Sequence, residues 1–306
     1  MPLLYLAKVN LNSNIFEIYD KTLDLKVVLE KIYREFATGT IYSSHNKERY
    51  WDSMGNPIEY IKKSNYSFQE IQKLDNGIIT GKLVRKFNRP SEKLDSNTNK
   101  MVETSVQEMV SIYFYYDVYR EMITFCERQS FGYNQFMGAF AYLLNNIANP
   151  YEFEIFLQKD REILEEKLKN LISVQKVRAT LIPPNSNEDD LKELRNELIY
   201  MQQCQDANAI KMDLSYTSNN MNMESKIMKD IKTAVSRGYG DVNATGVNVN
   251  GKIQTVKSSK DAAYTVNIQD NIKDMDFNEE SCNMISRFIE KITSKRFNKK
   301  EEPDTQ

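Results

Sequence analysis

Length, composition and charge set the first limits on this chain. Its 306 residues are 41% hydrophobic and 27% charged, so it can bury a substantial core and is expected to fold. Its 41 basic and 43 acidic residues leave a net charge of -2, which excludes a whole-chain field that draws the protein to nucleic acid or to a membrane.

The first half combines strands with two helices. Residues 3–11 alternate like a half-buried strand, and apolar residues at helical spacing over 23–36 and 133–147 predict helices. Residues 42–76 are polar and aromatic without a clear period, and the polar run 88–99 predicts a loop. Further strands are predicted at 77–87, 109–116, 122–128 and 151–157.

The second half follows the order strand, helix, strand, helix and then three strands, between an opening and a closing helix. Ser186 or Asn187 is expected to cap its second helix, which carries Leu191 and Leu194. The other helices are predicted at 160–172, 223–236 and 283–297, and the strands at 174–182, 209–216, 242–249, 252–256 and 263–268. The tail 298–306 is expected to be disordered.

This order of elements predicts an α+β fold with mixed or antiparallel sheets and helices packed on one face. We expect two subdomains, an N-terminal α+β unit at 1–158 and a C-terminal α+β unit with a terminal helix at 159–297.

Cysteine usage and the N-terminus predict the compartment. Cys126, Cys204 and Cys282 are widely separated in apolar or amphipathic stretches, which is typical of reduced thiols. Residues 1–10 lack a basic leader, and no apolar run approaches the roughly 20 residues that a membrane helix needs. We therefore expect a cytoplasmic protein without membrane insertion.

Residues suited to catalysis or metal binding are few. His45, the single histidine, stands among polar residues and is interpreted as an exposed loop residue. Asp213 lies in a predicted strand, as a carboxylate of a metal-dependent nuclease would. It lacks a second acidic residue at a spacing that indicates a shared metal site. No nucleotide-binding or hydrolase motif is present, so we expect no cofactor or metal and favour a non-catalytic protein.

Basic residues of the second half offer the remaining functional signal. Positive side chains able to contact phosphates form a candidate nucleic-acid patch of Lys226, Lys229, Lys232, Arg237, Lys252 and Lys257. The alternative reading is ordinary solubilising lysine on the outer faces of helices.

Two stretches carry a resemblance to known families. They are SIYFYYDVYREMITFCERQSFGYNQFMGAFAYLL at 111–144 and RGYGDVNATGVNVNGKIQTVKSS at 237–259, which follows a lysine-rich helix. In this layout the chain resembles RexA-type phage-exclusion proteins, the DNA-binding subunit of Kiwa-type defence, and related bacterial prophage and defence families. The resemblance implies a DNA-binding homodimer that senses or blocks phage, with basic residues of the second half facing DNA.

Three functional hypotheses follow. The first is a non-catalytic phage-defence or phage-exclusion protein that binds nucleic acid through the basic patch. The second is a protein-interaction or toxin-like subunit that acts with a partner encoded beside it, through the aromatic run at 113–119 and the C-terminal helix. The third is a metal-dependent nuclease centred on Asp213.

Overall fold

Two antiparallel sheets organise the chain, and the predicted α+β class is confirmed. A computed structural model describes residues 1–51, 55–95, 100–185, 198–270 and 272–299.

The strands are β1 Leu3–Leu11, β2 Ile41–Trp51, β3 Pro57–Leu74, β4 Ile78–Asp95, β5 Lys100–Asp117, β6 Met122–Cys126, β7 Phe153–Leu157, β8 Leu171–Leu181, β9 Met212–Thr217, β10 Gly240–Asn248, β11 Ile253–Lys257 and β12 Thr265–Asn267. The helices are α1 Ile15–Tyr19, α2 Leu25–Glu35, α3 Tyr133–Ala148, α4 Arg161–Lys169, α5 Ile199–Asp206, α6 Lys226–Ser236, α7 Ser258–Asp261 and α8 Asp274–Lys299. The first sheet has the strand order β12-β1-β6-β5-β4-β3-β2, with β7 also paired to β1. The second sheet has the order β11-β10-β8-β9.

The first sheet buries apolar side chains on both faces. On β1, Tyr5, Ala7 and Val9 belong to a core shared with α2 and α3. The intervening Leu4 and Leu6 belong to a second core, shared with α8. Because successive strand residues point to opposite faces, helices cover both sides of this sheet, whereas the sequence placed them on one.

The second sheet buries only one face. Strand β8 contributes Val177, Ala179 and Leu181 to a core with α4, α5 and α6. The residues between them point away from that core, and of these Arg178 is exposed and Thr180 is half-buried. The helices that the structure describes therefore leave one face of this sheet open to solvent.

Buried polar groups lie where the two sheets meet. The Lys8 ammonium is 3.5 Å from a Glu121 carboxylate oxygen, and the Asn185 amide donates a hydrogen bond to the same carboxylate. Lys159 is fully buried and its ammonium lies 2.6 Å from Asp241. Burial lowers the pKa of Lys159, an effect that the Asp241 carboxylate opposes. Removing one partner of such a pair leaves a buried charge uncompensated, so these contacts hold the two sheets in a defined relation.

Several predictions about local structure are wrong in the first half. The aperiodic region 42–76 contains β2 and β3, so His45 is an exposed strand residue and lies in no loop. The predicted loop 88–99 is largely strand, because β4 and β5 stay paired as far as Asp95 and Lys100. On β5, the four successive residues 104–107 are exposed, so both faces of the strand lie in water there and no apolar alternation indicates a strand.

Other predictions concern the ends of elements and domains. The subdomain boundary at residue 158 stays a prediction, although β12 and α8 of the second half pack with the first sheet. Helix α8 extends to Lys299, into the segment predicted to be disordered, and 300–306 lie outside the described residues. The predicted helix capped by Ser186 or Asn187 also falls largely outside them.

Candidate nucleic-acid interface

Helix α6 brings three of the six predicted basic residues together. Lys226, Lys229 and Lys232 line one cleft on the helix-covered side of the second sheet. Glu224, just before the helix, lies 3.5 Å from the Lys229 ammonium and 3.4 Å from that of Lys232. The charge of Lys232 lowers the pKa of Glu224, with a smaller contribution from Lys229. Two of the three lysines therefore already have a carboxylate partner.

The other three predicted residues lie elsewhere. Arg237 caps the end of α6 and is half-buried, and its Nη1 atom is buried without a hydrogen-bond partner in the described structure. Lys252 is exposed at the turn between β10 and β11. Lys257 pairs with Asn243 in the β10–β11 ladder and is exposed on the open face of the sheet. The six residues thus do not form one continuous patch, and their role in binding stays a prediction.

The open face of the second sheet carries polar side chains in rows that cross its four strands. One row is Thr255, Thr245, Lys176 and Thr217, from β11 through β10 and β8 to β9. The next row is Lys257, Asn243, Arg178 and Ser215. Directly opposed residues of antiparallel strands point to the same side, so each row presents its side chains together.

Three positive charges lie within these two rows. Lys176 and Arg178 are two residues apart on β8, which separates their backbones by about 7 Å on the same face. Lys257 lies two strands from Arg178, about 10 Å away across the ladder. Within the described part of the chain, none of the three has a carboxylate at salt-bridge distance, so their charges face solvent without compensation.

Carboxylates occupy the third row of this face. Thr180 donates a 2.6 Å hydrogen bond to Asp213, the residue that the sequence singled out for a nuclease. Asp241, opposite Thr180, is paired with the buried ammonium of Lys159. The described residues contain no group of three or more His, Cys, Asp and Glu side chains placed to hold a metal ion. A hydroxyl does not neutralise the Asp213 carboxylate, but this single negative charge stands against three cations, so the face stays positive and its positive charge lies in the first two rows.

Comparison with known families places the chain in one of them. The pattern of the family described as "Domain of unknown function (DUF4747)" matches residues 41–286, which include all four strands of the second sheet. The chain belongs to the DUF4747 family. No curated protein matches it. Among the described helices of this DUF4747 chain, none is long and apolar enough to cross a bilayer.

The sequence of β8 carries a signal for the open face of this DUF4747 protein, although its cations are not among the six residues of the predicted patch. In β8, the apolar residues Val177, Ala179 and Leu181 alternate with Lys176, Arg178 and Thr180. That alternation predicts a half-buried strand with cations on its solvent side. The lysines of a helix form a visible cluster because they are close together in the sequence. The cations of a strand alternate with buried residues, so they form no such cluster.

Proposed function

We propose that this protein binds nucleic acid without catalysis, through the open face of its second sheet. The observation that carries the proposal is a set of three cations on one sheet face, half-buried Lys176 and exposed Arg178 and Lys257, which have no carboxylate partner among the described residues. Cations placed in this way neutralise phosphates and release condensed counterions, which drives binding to a polyanion.

The chemistry of the face favours the phosphate and sugar backbone over the bases. Hydroxyl and amide groups surround the cations, and Ser, Thr and Asn side chains commonly contact phosphate and sugar oxygens. None of the outward-facing residues described on this sheet is aromatic, and Tyr216 of β9 packs toward the core. Base stacking is therefore not provided here, and we expect binding with little sequence preference.

The salt dependence of binding tests the proposal. With three phosphate contacts, the slope of log K against log salt is expected to be about -2.7 for duplex DNA and about -2.1 for a single strand. Fluorescence anisotropy of labelled oligonucleotides between 50 and 200 mM salt measures it. Arg178→Ala should reduce the slope by about one contact, that is by about 0.7 to 0.9.

A matched variant separates this face from the patch that the sequence predicted. Lys229→Ala removes the same charge from α6, on the other side of the sheet, and should leave affinity and slope unchanged for oligonucleotides without a terminal phosphate. An Arg178→Ala protein that binds like the wild type, while Lys229→Ala weakens binding, would move the interface to α6. No binding of DNA or RNA at low salt would remove the proposal altogether.

We further propose a role in phage exclusion, which rests on the resemblance to RexA-type and Kiwa-type proteins. A homodimer, which that resemblance implies, would present two open faces and double the salt slope.

The alternative of a subunit that acts with a neighbouring partner makes a different prediction. In that case the Arg178→Ala variant would protect cells as well as the wild type in a phage plating assay, because the sheet face would be irrelevant to protection.

A further inference from the structure

We propose that the cleft between α4 and α6, on the helix-covered side of the second sheet, binds a nucleoside phosphate. Its volume is about 610 Å³, within the range of pockets that hold one small ligand. The site is separate from the open sheet face, because α6 packs against the opposite side of the same sheet. The two proposals can therefore fail independently.

The floor of the cleft is apolar and preformed. Leu168, Val174 and Leu198 are almost fully buried beneath it, and Met221 and Met223 border it half-buried. The backbone N–H of Met221 donates a 2.9 Å hydrogen bond to the Val174 carbonyl, so the loop before α6 is tied to β8. Methionine sulfur makes favourable contacts with aromatic rings, and such a floor suits a nucleobase.

The rim of the cleft is positive. Five basic side chains line it, together with three carboxylates: Arg161, Lys169, Lys226, Lys229 and Lys232 against Glu165, Glu224 and Asp230. The lining thus carries two more positive than negative charges. An apolar floor beneath a cationic rim is complementary to a ligand with an aromatic ring at one end and phosphates at the other.

The three carboxylates already have partners within the protein. Glu165 accepts a 2.8 Å hydrogen bond from Arg161, and Glu224 bridges two lysines of α6. Asp230 accepts a 2.9 Å hydrogen bond from the backbone N–H of Ile199 at the start of α5. In the described residues, Lys169 and Lys226 have no salt-bridge partner, and they supply the net charge that would meet phosphate.

Calorimetric titration of the full chain with ATP, without magnesium, tests this site. We expect ATP to bind at least about tenfold more tightly than inorganic tripolyphosphate, which carries the phosphates without the base and sugar. Lys226→Ala should weaken ATP binding about tenfold or more, because it removes a charge-assisted contact, and Lys226→Arg should restore most of it. Lys226 is exposed, so these variants should fold.

A matched control and a second probe complete the experiment. Lys252→Ala removes the same charge from an exposed turn outside the cleft and should leave ATP binding unchanged. If a 5′-phosphorylated oligonucleotide displaces ATP, the ligand of the cleft is the end of a nucleic acid. If the oligonucleotide does not displace ATP, the ligand is a free nucleotide. Either result supports the site.

Three outcomes would overturn the inference. They are no ATP binding, tripolyphosphate binding as tight as ATP, and ATP binding that Lys226→Ala leaves intact. Loss of ATP binding in Arg178→Ala, with Lys226→Ala unaffected, would assign the nucleotide to the open sheet face instead.

Discussion

Glu121 makes the stability of this protein depend on pH in a way that can be calculated from its surroundings. The residue lies in the turn between β5 and β6 and is almost fully buried where the two sheets meet. Burial raises the pKa of Glu121 from its ordinary 4.5 to about 7, although the Lys8 ammonium and the Asn185 amide act in the opposite direction.

The sign of the effect follows from proton binding. Between pH 4.5 and about 7 the folded state holds more protons at Glu121 than the unfolded state, so stability falls as pH rises through this window. One pKa unit corresponds to about 1.4 kcal/mol, so from pH 5 to pH 8 this carboxyl should lower the free energy of unfolding by about 2 to 3 kcal/mol. Above the folded pKa the loss is complete.

Substitution isolates this contribution from those of other titrating groups. Gln at position 121 resembles the protonated acid and does not titrate. The free energy of unfolding of the wild type minus that of Glu121→Gln, from urea denaturation, should therefore fall by about 2 to 3 kcal/mol between pH 5 and pH 8. A difference for Glu121→Gln that stays constant between pH 5 and pH 8 would refute the reasoning.

Three further results are expected. Gly240→Ala should lower the free energy of unfolding by about 1 to 3 kcal/mol in urea denaturation, because an added Cβ would lie 2.1 Å from the Thr180 carbonyl oxygen. A variant as stable as the wild type would show that β8 and β10 can separate there. Phe140→Ala should cost about 3 to 5 kcal/mol by the same measurement, since its ring is fully buried among aromatic side chains of the first core; a loss below 1 kcal/mol would contradict that packing. Iodoacetamide at pH 8 should modify the exposed Cys282 before Cys126, because burial raises the pKa of Cys126 to about 12. Peptide mass spectrometry detects the modified cysteine, and faster labelling of Cys126 would count against its burial.

Local pattern predicted most elements of this fold with good accuracy. The strand over 3–11 and the helix from residue 133 begin and end within a residue or two of β1 and α3, because each carries one clean apolar period. Strand β2 was missed for the opposite reason. Its exposed face carries the apolar Ile41 and Trp51, whereas the polar Ser44 lies on its half-buried face, so apolar and polar residues do not alternate in its sequence.

The candidate site was predictable only in part. The lysines of α6 were found because a helix brings residues three and four apart to one face. Their neighbour Glu224 and the cleft that they line depend on α4 and on the loop before α6, which the sequence could not position. Lys257 and Arg178 come from strands far apart in the chain and meet on one face through the registers of β8, β10 and β11.

The sequence by itself determined the α+β class, the order of the elements and the near neutrality of the whole chain, since these depend on local periodicity and composition. Only the tertiary structure decided that helices cover both faces of the first sheet, and that α6 and Lys257 lie on opposite sides of the second. The physical reason is that strand pairing and side-chain direction set which charges meet. A residue's side of a sheet follows from its register with distant strands, and that information is absent from any single segment.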